Sequence, residues 1–285
     1  MRDASPLRYP GGKWRLAPFF VKLISANFEV PPSYVEPYVG GGSLALSLLF
    51  SGAVREVFLN DLDPAIYAFW ISVVRQSQEF IDLLLNTAAT PSQWQKQKDI
   101  YRKGPDAGRL RLGFATFFLN RTNHSGILNG GMIGGRKQSG TWKIDARYNR
   151  KELARRIQKI AGYKNRIHVS NQDACDFIRG QDDGTNSLIY LDPPYYHAGR
   201  RLYLNHYRPA DHKKVRDAVE RLSSPWVVSY DDASEIRKLY VEYRARNINL
   251  LHTARTARIG KEMIFFSPLL KIPRRSDRNI SIVIS

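Results

Sequence analysis

The chain has 285 residues, 43% of them hydrophobic, so it can bury a core as one large domain or two modest ones. Its 44 Lys and Arg residues against 26 Asp and Glu residues leave a net charge of +18, which points to a polyanionic partner, nucleic acid before an anionic membrane surface. A protein that is merely soluble at high charge is the alternative. The single cysteine, Cys175, excludes a disulfide framework and a cysteine-based zinc site. With neither a membrane-spanning apolar run nor an apolar signal core, we expect no membrane association and a cytoplasmic location.

The chain opens with alternating helix and strand patterns. In order, these are a helix from Lys13 to about Asn27, a strand from Tyr34 to Val39, a helix from Ser43, a strand from Glu56 to Asn60, and a helix from Pro64 to about Arg75. Asp63 and Pro64 supply an N-cap and a first-turn proline for the last of these helices. This αβαβ order predicts the start of a doubly wound α/β sheet.

A basic, mainly helical segment follows. Residues 96–166 hold 18 Lys and Arg residues against four acidic ones, so +14 of the net +18 lies in one quarter of the chain. The periodicity is helical from Gln78 to Arg121, a glycine-rich loop runs from Thr122 to Lys143, and Asn149 caps a helix from Lys151 to Ile160.

Strand patterns then return and alternate with helices to the end of the chain. The strands are Arg166 to Ser170, Leu188 to Leu191 and Trp226 to Ser229, and the helices are Ala174 to Arg179 and about Asp211 to Leu222. We therefore predict an α/β domain, residues 1–70 and 165–285, interrupted by a mainly helical inserted domain, residues 71–164.

A glycine-rich turn follows the first predicted strand. Glycines at this position, in the stretch Glu36 to Gly42, let the backbone approach a ligand and free the N–H groups of the next helix. Asp61 ends the next strand, where an acidic side chain commonly binds ribose hydroxyls. The third glycine of a dinucleotide fingerprint is missing, which disfavours a nicotinamide cofactor. A tight turn with a helix-capping Asp61 is the alternative interpretation.

The stretch Asp192-Pro193-Pro194-Tyr195 ends another apolar strand. Its two prolines set the backbone direction, so the Asp192 carboxylate and the Pro193 carbonyl can face one site while Tyr195 offers a flat ring to a planar base. Two acceptors facing one exocyclic amino group would bond both of its hydrogens and leave the nitrogen lone pair free to attack. A proline-rich strand exit with a solvated Asp192 is the alternative.

These motifs, in this order, resemble the Dam-like family of DNA adenine-N6 methyltransferases, which use S-adenosylmethionine. The matching stretches are Leu7 to Lys13 (the G-G-K motif), Glu36 to Gly42, Asn60-Asp61, Phe118 to Arg121 with Gly126, and Asp192 to Tyr195 (the D-P-P-Y motif). The resemblance implies a Rossmann-like methyltransferase sheet in which the inserted domain recognises the DNA target. The loop Thr122 to Lys143 departs most from the family pattern.

The resemblance also implies residue roles. Tyr9 and Lys13 would contact the cofactor, Asp61 its ribose, Asp173 its adenine amino group, and Asp192 both the cofactor and the target amine. The glycine motif would add Glu36, Tyr38, Gly40 and Gly42 to the cofactor site. An Asp before a helix, like Asp173, is also often only an N-cap.

The implied reaction is methylation of an adenine flipped out of double-stranded DNA. Asp192 and the carbonyl of Pro193 would accept the amino hydrogens, while Tyr195 stacks on the base. Cys175 lacks a preceding proline, so the cysteine route of C5-cytosine methylation is not supported, and the six histidines show no metal-ligand spacing.

Residues in and around the glycine-rich loop are predicted to bind DNA by phosphate contacts and insertion into a groove. They are Arg121, Asn123, Arg136, Lys137, Lys143 and Arg147. A solvated basic face is the alternative for any one of them.

Two other functions use the same residues. One keeps the methyl transfer but directs it to RNA or a protein amide, and the other is a non-catalytic DNA-binding module that kept the fold. A restriction or defence-system partner would be compatible with the DNA adenine methyltransferase function.

Overall fold

The computed structural model describes residues 4–8, 13–196, 207–252 and 258–273. After a 3₁₀ turn at Lys13–Leu16, the first elements are α1 (Ala17–Ser25), β1 (Ser33–Glu36), α2 (Ser43–Phe50), β2 (Glu56–Asn60) and α3 (Pro64–Arg75). The predicted insertion contains α4 (Ser77–Asn86), α5 (Pro91–Arg102), α6 (Arg109–Thr122) and α7 (Arg150–Ala161). The remaining elements are β3 (Ile167–Ser170), α8 (Ala174–Gly180), β4 (Ser187–Leu191), α9 (Pro209–Glu220), β5 (Trp226–Asp231), α10 (Ser234–Leu239), β6 (Arg244–His252) and β7 (Arg258–Phe266).

The strands form one seven-stranded sheet in the order β3-β2-β1-β4-β5-β7-β6. β1 pairs in parallel with both β2 and β4, so the chain builds outward from β1 in one direction and then restarts on its other side. Such a reversal is the switch point at which doubly wound sheets bind ligands, outside the carboxyl ends of the strands. The predicted doubly wound, Rossmann-like α/β fold is confirmed.

The last two strands differ from the prediction. We expected α/β alternation to continue to the end, but β6 and β7 form an antiparallel pair, and β7 lies between β5 and β6. Two antiparallel strands can be joined without a crossover helix, so no helix is needed between β6 and β7. The expected alternation of helices and strands therefore ends before β7. The insertion of β7 next to β5 brings Glu262 opposite Asp231, the last residue of β5, where Glu262 is buried.

Several element boundaries follow local chemistry. α3 begins at Pro64 and the Asp63 carboxylate accepts a hydrogen bond from the amide of Ala65 at 2.8 Å, which confirms the predicted cap. β1 ends at Glu36 instead of Val39 because Pro37 has no N–H for the ladder. The first predicted helix starts as the 3₁₀ turn and becomes α-helical only at Ala17.

The inserted segment shares its core with the sheet. One cluster of buried side chains joins Leu23 and Tyr34 to Phe80, Phe117 and Ile157, which lie on α4, α6 and α7. The predicted domain boundary after residue 70 falls inside α3, so helix α3 belongs to both halves. The division into two domains stays a prediction. None of the helices in the described ranges is long and apolar enough to cross a membrane.

Candidate active site

The carboxyl ends of neighbouring strands bring three acidic residues to the switch point of the sheet. Glu36 ends β1, Asp61 follows β2, and Asp192 follows β4. Parallel strands with a common direction present their ends at one edge, so residues that are up to 156 positions apart in sequence belong to one site. The sequence prediction placed all three in this site.

Asp192 is held on both carboxylate oxygens. The Ser229 hydroxyl, on β5, donates to Oδ1 at 2.6 Å, and the Lys13 ammonium lies 3.1 Å from Oδ2. The side chain is 19% exposed, so it remains reachable from outside. The carboxylate is therefore fixed in orientation by a hydroxyl on one oxygen and a cation on the other.

Lys13 connects Asp192 to a residue that the sequence prediction missed. Its ammonium is 5% exposed, lies 3.1 Å from both carboxylate oxygens of Glu262, and donates to the Tyr195 hydroxyl at 2.8 Å. The Tyr195 hydroxyl also donates to Glu262. Glu262 is 1% exposed, and burial raises the pKa of its carboxyl while Lys13 opposes that shift. The acid of the Lys-Glu-Met stretch on β7 carried no motif that could have identified it.

Tyr195 is more enclosed than expected. It is 9% exposed, and its hydroxyl is held by Lys13 and Glu262. The following residue is anchored as well, because the amide of Tyr196 donates to Asp231 at 2.8 Å. Stacking of the Tyr195 ring on a base stays a prediction, limited to the small part of the ring that is exposed.

The glycine-rich turn is fixed from two sides. The amide of Gly40 donates to Asp61 Oδ2 at 2.9 Å, and the indole N–H of Trp70 donates to the carbonyl of Gly40, also at 2.9 Å. Gly42 has a φ of 58°, and a Cβ there would lie 2.5 Å from the Trp70 ring, so only glycine fits. The turn is thus shaped by Asp61 and Trp70 together.

The surroundings of Asp61 and Glu36 disfavour the charged form of their carboxyl groups. Burial raises the pKa of Asp61 to about 7, although the amides of Gly40 and Asp63 bond to it and act in the opposite direction. Burial, and secondarily Asp192, raise the pKa of Glu36 well above its usual range. Within the described residues, no hydrogen bond reaches Oε2 of Glu36. Both groups are suited to a ligand that supplies hydrogen-bond donors or positive charge.

The other predicted cofactor residues are placed as follows. The Tyr38 hydroxyl is 3.0 Å from that of Tyr207. Asp173 caps α8, with Oδ1 accepting from the amides of Cys175 and Asp176 at 2.9 and 3.3 Å, so the capping interpretation holds and a contact with the cofactor stays a prediction. Tyr9 lies outside the described residues.

One predicted DNA-binding residue is wrong. Asn123 is fully buried, its side-chain oxygen accepts from the Trp94 indole at 2.6 Å, and its amide nitrogen donates to the carbonyls of Ile127 and Leu128. With both ends of the amide engaged inside the protein, Asn123 shapes the loop and cannot reach DNA.

The remaining predicted DNA-binding residues separate into two groups. Arg136, Lys137 and Lys143 lie exposed on the glycine-rich loop. Arg121 and Arg147 instead meet, since Nε of Arg121 donates to the carbonyl of Arg147 at 2.7 Å, and both line a cavity of about 600 Å³.

A residue of the Phe118 to Arg121 motif, to which the sequence analysis assigned no role, ties the N-terminal segment to helix α6. The Asn120 side chain accepts from the amide of Arg8 at 2.7 Å and donates to the carbonyls of Arg8 and Gly126 at 2.8 and 2.9 Å. A Cβ on Gly126 would lie 2.3 Å from the Arg8 carbonyl. Three residues earlier in the chain than Arg8, the Ser5 hydroxyl donates to the carbonyl of Gly41 at 2.5 Å. Asn120 and Gly126 of the inserted segment are therefore linked to the glycine-rich turn through residues 5–8.

Comparison with known proteins agrees with these motifs. The family model for D12 class N6 adenine-specific DNA methyltransferases matches residues 9–255. The Type II methyltransferase M1.LlaDCHI of Lactococcus lactis subsp. cremoris is 22% identical over 279 residues, which cover 89% of this chain and 91% of that protein.

Among solved structures, the rRNA methyltransferase aviRa from Streptomyces viridochromogenes matches with a TM-score of 0.42 and 14% identity, over 90% of this chain and 85% of that one. A putative RNA methyltransferase from Pyrococcus horikoshii matches with a TM-score of 0.43 and 10% identity, over 92% and 85%. Because the family model spans most of the sequence, the chain belongs to the D12 class N6 adenine-specific DNA methyltransferases, enzymes that methylate adenine in DNA.

Proposed function

We propose that this enzyme transfers the methyl group of S-adenosylmethionine to the N6 amino group of an adenine flipped out of duplex DNA. The observation that carries the proposal is the fixed, partly exposed carboxylate of Asp192, held by Ser229 and Lys13 at the switch point of the sheet. A paired and stacked adenine cannot bring its amino group to such a site, so the base has to leave the duplex.

The described residues fit the cofactor. The switch point holds three carboxylates, Glu36, Asp61 and Asp192, while Glu36 has an oxygen without a hydrogen-bond partner in the described chain. S-Adenosylmethionine carries a sulfonium and an ammonium group and supplies an electrophilic methyl group when bound. We assign Asp61 to the ribose hydroxyls and Asp173 to the adenine amino group of the cofactor. The other residues assigned to the cofactor site are Tyr9, Lys13, Glu36, Tyr38, Gly40, Gly42 and Asp192.

Asp192 acts on the target amine. One carboxylate oxygen and the carbonyl of Pro193 accept its two hydrogens, which draws the nitrogen lone pair out of the ring and points it at the methyl group. Ser229 and Lys13 each bond to one oxygen of Asp192, so the carboxylate cannot rotate away. Transfer would form the nitrogen–methyl bond as the methyl–sulfur bond breaks and sulfur leaves as a neutral thioether, and the amino group would release one proton, which Asp192 would accept and pass to solvent. Positioning and electrostatics supply the rate, without a covalent enzyme intermediate.

The basic insertion holds the DNA. Arg121, Arg136, Lys137, Lys143 and Arg147 remain assigned to DNA contacts, and the exposed part of Tyr195 is where we place the flipped base. The Type II designation of the lactococcal relative supports a role in protecting DNA against a restriction endonuclease.

The test is transfer of radiolabelled methyl groups to duplex DNA, RNA and protein, with the product nucleoside identified by mass spectrometry. We expect N6-methyladenine in DNA, and a loss of at least about 100-fold in the rate with Asp192→Asn, which keeps the shape but removes the anion. Asp82→Asn, an exposed change on α4, is the matched control. Label in RNA or protein only, or full activity of Asp192→Asn, would contradict the proposal.

A further inference from the structure

Three arginines near the start of α7 lack acidic partners. Arg8, Arg147 and Arg150 form no ion pair with any carboxylate of the described chain, whereas Arg155 and Arg156, on α7 itself, pair with Glu152 at 2.8 and 3.1 Å. Glu152, in the first turn of α7, thus pairs with Arg155 and Arg156 and not with Arg150. Arg8 and Arg147 are close enough for their charges to interact, and no carboxylate of the described chain pairs with either of them.

Two of these arginines, Arg147 and Arg150, border the cavity of about 600 Å³ already noted. Arg121, Arg147 and Arg150 line it, with Asp145 as the carboxylate among its lining residues. The Arg150 guanidinium is held by the carbonyl of Leu85, to which it donates at 2.5 Å, and the Arg147 guanidinium lies 5.4 Å from the centre of the Trp142 ring. The contact of Arg150 uses one of its five N–H donors, so donors remain for a ligand on a side chain that is already ordered.

Arg8 brings a further donor without a partner. Its guanidinium is half-buried, and no hydrogen bond reaches its buried Nη1 within the described residues. Burial, and secondarily the charge of Arg147, lower the pKa of Arg8. A buried N–H without an acceptor is uncommon and costs free energy, so its retention here indicates a ligand.

We propose that this cavity binds a phosphate group of the DNA backbone, with Arg147 and Arg150 as its principal ligands and Arg8 as a supporting charge. Arginine forks match two phosphate oxygens, and the beginning of the 12-residue helix α7, which borders the cavity through Asn149 and Arg150, favours an anion as well. The proposal rests on the proposed function, since it assumes that DNA is the substrate.

The backbone of Arg8 links the proposed phosphate site to the glycine-rich turn. Arg8 is clamped by Asn120 of α6, and the Ser5 hydroxyl, three residues earlier, donates to the carbonyl of Gly41. A phosphate held by Arg147 and Arg8 would therefore lie beside a segment, residues 5–8, that contacts the glycine-rich turn.

The experiment is the salt dependence of binding to a fluorescent duplex, comparing wild type with Arg147→Gln, Arg150→Gln and Arg147→Lys. Each lost phosphate contact lowers the slope of log affinity against log salt by about 1, on any sequence. We expect this decrease for both glutamine variants and not for Arg147→Lys, which keeps the charge. Arg155→Gln, which removes a 77% exposed arginine paired with Glu152, is the matched control and should leave the slope unchanged.

Three outcomes would overturn the site: unchanged slopes in both glutamine variants, an equal change in Arg155→Gln, or wild-type binding of inorganic phosphate in the cavity that DNA does not displace. Thermal unfolding and calorimetric binding of S-adenosylmethionine show that each variant is folded. If the slopes decrease in both glutamine variants but the wild type methylates no DNA, the proposed function fails and the phosphate site stands. If the wild type methylates DNA but the slopes of the variants equal that of the wild type, the phosphate site fails and the proposed function stands.

Discussion

The active site and the α7 cavity treat charge in opposite ways. At the switch point, Lys13 is nearly fully buried and lies within about 3 Å of Asp192 and Glu262, so the protein supplies its own counter-ions. At the cavity, Arg147 and Arg150 have no acidic partner in the described chain. A buried charge has to be neutralised internally, because its desolvation cost is several kcal/mol. A charge that faces solvent is hydrated and needs no internal partner before a ligand binds. Arginines without acidic partners are therefore a better guide to the proposed DNA-binding surface than buried, paired charges such as Lys13.

The largest effect should come from Glu262→Gln, which tests whether the active site depends on internal pairing. Removing one partner of a buried charged network costs about 3 kcal/mol in the free energy of unfolding, and Lys13 loses one of the groups that position it. We expect slower methyl transfer with little change in DNA affinity, measured by single-turnover kinetics, together with reduced stability in urea. The control is Glu79→Gln, an exposed acid on α4. A stability equal to that of wild type would show that the pairing is not needed.

A smaller loss is expected from Asn120→Ala, which tests whether the two regions are linked. The change leaves the backbone amide of Arg8 and the carbonyls of Arg8 and Gly126 without partners, at a cost of about 1 to 3 kcal/mol. Because residues 5–8 also contact Gly41, S-adenosylmethionine should bind more weakly by calorimetry. Asn165→Ala, an exposed change, is the control, and normal cofactor affinity in Asn120→Ala would show that the link ends at Arg8.

The third effect concerns the pH dependence of stability and Asp61. Its pKa is raised to about 7 in the folded protein, above its ordinary value near 4, so the folded state binds more protons than the unfolded state between these values. Stability should therefore fall as pH rises from about 4 to about 7 and level off above that. Asp61→Asn should flatten this part of the curve, measured by urea unfolding at several pH values. An identical curve for Asp61→Asn would assign the slope to other groups.

Most of the parallel sheet and the order of the motifs could be predicted from the sequence. Some features depend only on residues close in sequence and can therefore be predicted from local patterns. They are the Asp63 cap, the glycines before α2, and the position of Asp192 at a strand end. Asn123 was misassigned because the sequence pattern of a basic loop predicts exposed polar side chains. Only the tertiary structure shows that its amide group is hydrogen-bonded inside the protein, to the Trp94 indole among others.

By itself, the sequence determined the α/β order, the helical basic insertion, and the motifs that identify an adenine-specific DNA methyltransferase, since these depend on periodicity, composition and short-range spacing. Only the tertiary structure decided that Glu262 neutralises Lys13, that Asn120 joins the N-terminal segment to α6, and which arginines lack partners. Those properties depend on contacts between residues as many as 249 positions apart, which no local pattern encodes because side-chain pairing is settled by how the chain packs.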